Sequence, residues 1–389
     1  MKVDYNIPLQ VVLNSMRHYH HVQVETELAD GIDFFPSVDM DEVVPTEGCT
    51  LWFNPKVQVI LALYNLSMFR GINTGEAIVH YVLFHAFLEV DDYAGADRHL
   101  EAFRHKLSHL LAPLPSIDDK EESAARLLLQ LYFTLFHESF HIILHLGKET
   151  RLAATAVTRE LLRDIAAEQD DMHSAVSNEE LIDHPKTRQH IAAMIPDGLS
   201  EATRKERERE ILESLSQDSL NSTYIARVLE SDSTQVEEIT CDRQAWINLV
   251  PILQAQGATD ADVLSVHMWV FTVLNAMDFN KVLQSQFIPS RHSRSSYDAR
   301  RVLLRHKAFK TLLRQYHPDI AKNVTTEYLD LHKGLESIYR SSVMALERYA
   351  KDLQQIYYRY HADHHQPDFV RHCRLESEMT EAASPLFDE

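Results

Sequence analysis

Cysteine, glycine and proline are all scarce, at 3, 9 and 13 of 389 residues. Cys49, Cys241 and Cys373 lie far apart, are odd in number and form no Cys-x-x-Cys pair. A disulfide framework is therefore excluded, and a reducing, cytoplasmic setting is expected. So few glycines and prolines leave little material for sharp turns, and long helices should dominate. Positive charge is short as well: 38 Lys and Arg stand against 58 Asp and Glu, a formal net charge of −20. Phosphate recognition needs a basic footprint, so neither nucleic acid nor an anionic membrane is expected as the main partner. The first residues show no charged-then-apolar signal pattern. No apolar stretch is expected to reach the roughly 18–20 residues that span a bilayer. No fixed-period repeat is visible, and the oligomeric state is open.

What the chain does have is histidine, 23 in all, and one arrangement of it with chemical meaning. The run Phe136-His137-Glu138-Ser139-Phe140-His141 is His-Glu-x-x-His. On a helix, residues i and i+4 share a face, so His137 and His141 can reach one metal ion while Glu138 is rotated toward an open coordination position. Composition alone predicts about 0.1 chance occurrences of the pentapeptide. The alternative is a pair of hydrogen-bonded core histidines. Glu121 to Leu146 reads as one helix, opened by a cap signal at Ser116 to Asp119 and closed at Gly147. Its second half is apolar on nearly every face, so ionisable groups inside it must be paired or ligated. His145, one turn further on, is expected beside the ligand set rather than in it.

A catalytic zinc site takes a third protein ligand. Leu144 and Gly147 close one familiar route, in which a third histidine follows shortly on the same segment. The better candidate is Glu238-Ile239-Thr240-Cys241-Asp242. At a spacing of four, Glu238 can bind the metal while Asp242 reaches an imidazole N–H and fixes its tautomer. A solvated face near a helix start, capped by Asp232 or Ser233, is the alternative. Together the two motifs resemble the gluzincin zinc metallopeptidases, whose second motif is a Glu followed four residues later by Asp. That resemblance implies His137, His141 and Glu238 as Zn2+ ligands, Glu138 as general base and Asp242 as orienter of a ligand histidine. A looser similarity lies in Ser290 to Arg301, where Ser293 stands in place of a frequent proline. There His292, Arg294 or Tyr297 could donate to the oxyanion of a tetrahedral intermediate, with His292 taken as the catalytic candidate.

The activity implied is zinc-dependent hydrolysis of peptide bonds by an endopeptidase acting on a polypeptide, with one specific intracellular protein as an option. The expected fold class is mainly α with a small N-terminal β-sheet (α+β), a zincin-like core carrying helical insertions. Residues 1–115 form an N-terminal α/β region and 116–290 the catalytic core. A charged helical insertion occupies about 150–231, with Glu201 to Glu210 as a solvated helix that could gate the site. Residues 291–389 form a helical region with a basic patch, Arg291 to Arg314, and a mobile acidic tail from about Ser377. Tyr5 to Leu13, Val22 to Leu28 and Cys49 to Phe53 read as strands, and in the resembling family such a sheet receives substrate as an added strand. Val263 to Leu274 reads as a buried helix in which His267 is a core residue, and Thr326 to Tyr360 as helices packed on the core.

Other clusters carry less. Glu101, His105 and His109, and likewise His85 with Glu89, have helical ligand spacing but no base between them, and are expected at the surface or an interface. His18 to His21 and His361 to His365 lie near the chain ends. His317-Pro318-Asp319 after a basic helix resembles the turn of J-domain cochaperones. A J-domain-like chaperone-interacting module, or a metal-bound scaffold without turnover, are the alternatives to an enzyme.

Overall fold

A computed structural model describes residues 6–20, 22–29, 31–40, 49–70, 73–111, 118–175, 222–255, 299–316, 348–360 and 368–387, with a few single positions between 259 and 346. It is mainly helical with one small sheet. The elements used below are α1 (Asn6–His20), β1 (Glu25–Leu28), β2 (Ser37–Met40), β3 (Cys49–Phe53), α2 (Val57–Arg70), α3 (Gly75–Glu89), α4 (Tyr93–Leu111), α5 (Asp118–Leu146) and α6 (Lys148–Ala175). After these come α7 (Ser222–Ser231), α8 (Ser233–Ala255), α9 (Ala299–Tyr316), α10 (Ala350–Tyr360) and α11 (Phe369–Ala383).

The sheet has the order β1-β3-β2, with β1 parallel and β2 antiparallel to the central strand. β3 alternates buried and half-buried residues, as suits a middle strand, while β1 is exposed along its length. The two strand expectations at Val22 to Leu28 and Cys49 to Phe53 thus hold in part or in full. The third does not: Tyr5 to Leu13 belongs largely to α1. Its apolar residues alternate over a short window, but Leu9, Val12 and Met16 recur at helical spacing over a longer one and are the ones buried.

α5 is the axis of the molecule. It packs against α1, α2, α6, α8 and β2, and Leu131, Phe133, Leu135 and Ile142 are almost wholly buried on it. By length and hydropathy Ala124–Leu146 could cross a membrane, contrary to the reading that no stretch would, although 78% of its 18-residue window is buried inside the protein. The interruptions that hid this, Gln130, Thr134, His137 and Glu138, are buried polar groups. Gln130 exchanges two hydrogen bonds of 2.8 Å with Asn65 of α2, so the amide pair is satisfied where no water reaches it.

The acidic end of the chain is ordered, which corrects the expected mobile tail. Asp368 caps α11 by accepting from the Arg371 N–H at 3.1 Å, and Leu375, Met379 and Ala383 form a buried stripe at i, i+4 and i+8 against the core. Of its acids, Glu381 is exposed, while Glu376 lies half-buried beside the stripe and pairs with Lys56. His85 is also relocated: it is a core residue at 3% exposure, ringed by Phe34, Tyr81 and Phe84. Its position in the middle of α3, a helix buried on every face, decides this. Glu101, His105 and His109 do lie exposed on α4. Glu201 to Glu210, His267, the His317 and Asp319 of the His-Pro-Asp turn, most of Thr326 to Tyr339, and His361 to His365 lie outside the described residues.

A second pair of buried histidines closes the α3–α4 hairpin. Gly95 lets α4 approach the Phe87 ring, where any Cβ would collide. One turn on, His80 and His99 meet through their Nδ1 atoms at 3.0 Å, with Tyr349 Oη 3.3 Å from His80 Nε2. Glu76, Lys106, Arg348, Arg98 and Asp352 surround them, yet burial dominates and lowers His80 to about 4 and His99 to about 3. Folded values below the unfolded one mean stability that is present above about pH 6.5 and lost as pH falls toward those values. Urea unfolding should show a loss of about 2 kcal/mol per histidine between pH 7.5 and 5. Replacing His99 with Gln should shrink that loss, and an unchanged pH profile in the variant would refute the assignment.

Candidate metal centre

α5 carries both motif histidines on the side facing α8, and the burial of its flanks encloses His137 fully and His141 in part. His137 is 0% exposed and His141 half-buried. Their Nε2 atoms stand 3.3 Å apart. Two donors held at 2.0–2.1 Å by a tetrahedral ion stand about 3.3 Å apart, so this is the edge of such a polyhedron. A second edge is present too: Glu238 Oε2 of α8 lies 3.3 Å from His137 Nε2. Glu138 reaches within 3.8 Å of the same nitrogen, and donor atoms of His137, Glu138 and His141 all fall within 4.8 Å of one another. This group could hold a metal ion.

Each ring is oriented from behind by its own carboxylate. Asp242 Oδ1 lies 2.8 Å from His137 Nδ1, which fixes the proton on Nδ1 and frees Nε2 to face the site. Glu237 Oε1 lies 3.3 Å from His141 Nδ1 and does the same for the second ring. Both acids come from α8, whose start is capped by Asp232 accepting from the Gln235 N–H at 2.9 Å. Glu238 and Asp242 share a face at a spacing of four, and Glu237 is rotated by about 100° onto the His141 side.

The acids are held in turn. Arg305 of α9 donates from Nε and from a terminal nitrogen to the two Asp242 oxygens, both at 2.7 Å, and stands 3.6 Å from Glu238. Arg151 of α6 pairs with Glu237 at 2.7 Å, and His145 Nε2 approaches the same carboxylate at 2.8 Å. Burial alone would raise the Asp242 carboxyl, but Arg305 and His137 outweigh it and hold it below its ordinary value. The hydrogen bond with His141 leads in pulling Glu237 down to about 2, against burial and with help from Arg151 and His145. Burial lowers His137, yet Asp242, Glu238 and Glu138 together carry it up to about 9. Burial first, then the same carboxylates, push the Cys241 thiol well above its usual range, so it stays neutral.

These directions express one fact. Among the contacts of the described residues, Glu138, Glu237, Glu238 and Asp242 are met by two guanidinium groups, those of Arg151 and Arg305, so with neutral imidazoles these acids outnumber the cations beside them. A divalent ion held there would offset that excess of negative charge.

Of the sequence-derived candidates, His137, Glu138, His141, Glu238 and Asp242 come together, and His145 sits beside them as expected. His292, Arg294 and Tyr297 lie outside the described residues. Glu237, Arg151 and Arg305 were not foreseen. Glu237 adjoins a motif residue and could have been suspected from the helical turn alone. Arg305 was read only as part of a basic patch. Among the described residues of that patch, Arg301 bonds Gln235, and Lys307 and Arg314 both pair with Glu168. No protein-family model, curated protein or solved structure matches the chain.

Zinc titration followed by elemental analysis should give one ion per chain, lost on His137→Ala or His141→Ala. Glu237→Gln should keep the fold and weaken affinity by about 10–100-fold. Wild-type affinity in that variant would remove Glu237 from the site.

Proposed function

We propose that the chain is a zinc-dependent metallopeptidase of gluzincin type, hydrolysing peptide bonds in a polypeptide substrate within the cytoplasm. His137, His141 and Glu238 are the ligands, Glu138 is the general base, and Asp242 and Glu237 orient the two imidazoles. The observation that carries this reading is the convergence of two backed imidazoles and a carboxylate at 3.3 Å edges, from helices whose motifs lie almost a hundred residues apart. Two nitrogens and one carboxylate oxygen with a further acid alongside are the donor set of hydrolytic zinc rather than of structural, thiolate-rich zinc.

Zinc bound there would acidify a water and polarise a carbonyl. Glu138, beside the ligand pair and only slightly exposed, is placed to take the water proton and to return it to the leaving amine. Asp242 keeps His137 in the tautomer that presents Nε2 and balances charge as the ring's electron density is drawn away. The buried Arg305 is clamped on Asp242 and the partly exposed Arg151 is paired with Glu237, so both arginines are already engaged with carboxylates. The task of meeting an oxyanion falls to a donor such as His292. β2, an edge strand of the described sheet that packs against α5, offers backbone groups for an extended substrate.

The decisive comparison is wild type beside Glu138→Gln, both loaded with zinc, with new termini in a peptide mixture read by mass spectrometry. The variant should retain its zinc and lose about 10²–10⁴-fold in turnover, the span of a general base. Equal cleavage by both would take Glu138 out of the mechanism. Absence of products from zinc-loaded wild type would favour a metal-bound scaffold instead.

A further inference from the structure

The two imidazoles of the cluster are backed by carboxylates in unlike settings. Asp242, behind His137, is 1% exposed, and its guanidinium partner Arg305 is buried as well. Glu237, behind His141, is also largely buried, but the side chain of its partner Arg151 is 43% exposed. Arg151 comes from the first turn of α6, where its backbone N–H bonds the Gly147 carbonyl at 2.9 Å. One half of the centre is thus closed inside the protein, and the other reaches the surface through Arg151.

Glu237 has a divided task. Its Oε1 lies 3.3 Å from His141 Nδ1 and 2.8 Å from His145 Nε2, so two rings one turn apart on α5 meet the same oxygen, and the shorter contact is with the ring that is not a ligand. Its Oε2 accepts from a terminal nitrogen of Arg151 at 2.7 Å. A carboxylate free to pivot would follow its nearer partner, and His141 would lose the acceptor that keeps its proton on Nδ1 and its Nε2 toward the ion. Anchoring the second oxygen with a charge-assisted bond prevents that pivot.

Support of the fold does not explain the pair. α6 is seated on α8 by other means: the Thr158 and Thr240 hydroxyls bond at 2.9 Å in the interior, and Leu161, Leu162 and Ile165 share a buried cluster with Val236 and Ile239. An ion pair with one partner this exposed adds little to stability, because solvent screens it and a long side chain must be ordered to make it. What the pair does determine is where the Glu237 carboxylate points. We infer that Arg151 is a positioning residue of the centre, acting on the bound ion through Glu237 and His141, a role that rests on the metal-site reading of the cluster.

The test uses the full chain with Zn2+ alone, its affinity read by competition with a chromophoric chelator, and the visible spectrum of the Co2+-loaded protein as a report on ligand geometry. Arg151→Gln should melt at the wild-type temperature, bind Zn2+ about tenfold more weakly and alter the Co2+ bands. Arg151→Lys, which keeps a cation within reach of Oε2, should recover most of that loss. Removing the competing ring, by adding His145→Ala to Arg151→Gln, should recover it too, whereas Arg151→Gln added to Glu237→Gln should cost nothing further. Wild-type affinity and spectrum in Arg151→Gln, failure of either recovery, or a loss that adds to that of Glu237→Gln would each overturn the role of Arg151 while leaving the metal site standing. Early melting of Arg151→Gln would overturn it as well, since the pair would then be a support of the fold. A wild-type chain that takes up no Zn2+ would instead overturn the site itself, and the role of Arg151 with it.

Discussion

Asp242 is the residue on which the candidate centre depends. A carboxylate 1% exposed in a helical core is tolerable only when its charge is met, and Arg305 meets it with two hydrogen bonds at 2.7 Å. The same carboxylate then turns to His137 Nδ1. One side chain of α8 thereby fixes both the position of α9 and the orientation of a ring on α5. Breaking such a buried pair costs about 3–5 kcal/mol, because the surviving charge is stranded. Stability and site geometry are therefore one property here. The crossing of three helices that forms the core is also what aims the imidazole.

α8 acts twice more within a single turn. Glu237 fixes the second ring and Glu238 completes the donor set. Three acids on six residues of one helix would repel one another in isolation, and folding makes them compatible by giving each its own partner: His141 with Arg151, the shared ligand face, and Arg305 with His137. Among the described residues, these acids still outnumber the cations that meet them. When no ion is present, the proton held on His137 is the nearest substitute, which is why that ring is so basic despite its burial.

The parts of this that the sequence made legible are the local ones. A spacing of four on a helix puts His137 with His141 and Glu238 with Asp242 whatever the tertiary fold, so both pairs were readable from residue type and interval. That the two pairs meet, and that Asp242 faces His137 rather than His141, is set by how α5 and α8 cross, which no interval encodes. Arg305 was hidden for the same reason: in a run of basic residues nothing marks the one that turns inward. Short windows misled elsewhere. Ile7, Leu9, Val11 and Leu13 alternate like a strand, while the residues that matter, Leu9, Val12 and Met16, declare a helix only over three turns. At the C-terminus the acids drew attention from Leu375, Met379 and Ala383 beneath them, an apolar stripe sufficient to hold the helix down.

Two buried histidines show how far surroundings, rather than residue type, decide chemistry. His85 and His137 are both enclosed and both suffer the burial that disfavours a charged ring. Around His85 the neighbours are aromatic, the penalty stands unopposed, and the imidazole stays neutral. Around His137 they are carboxylates, whose combined field reverses the sign.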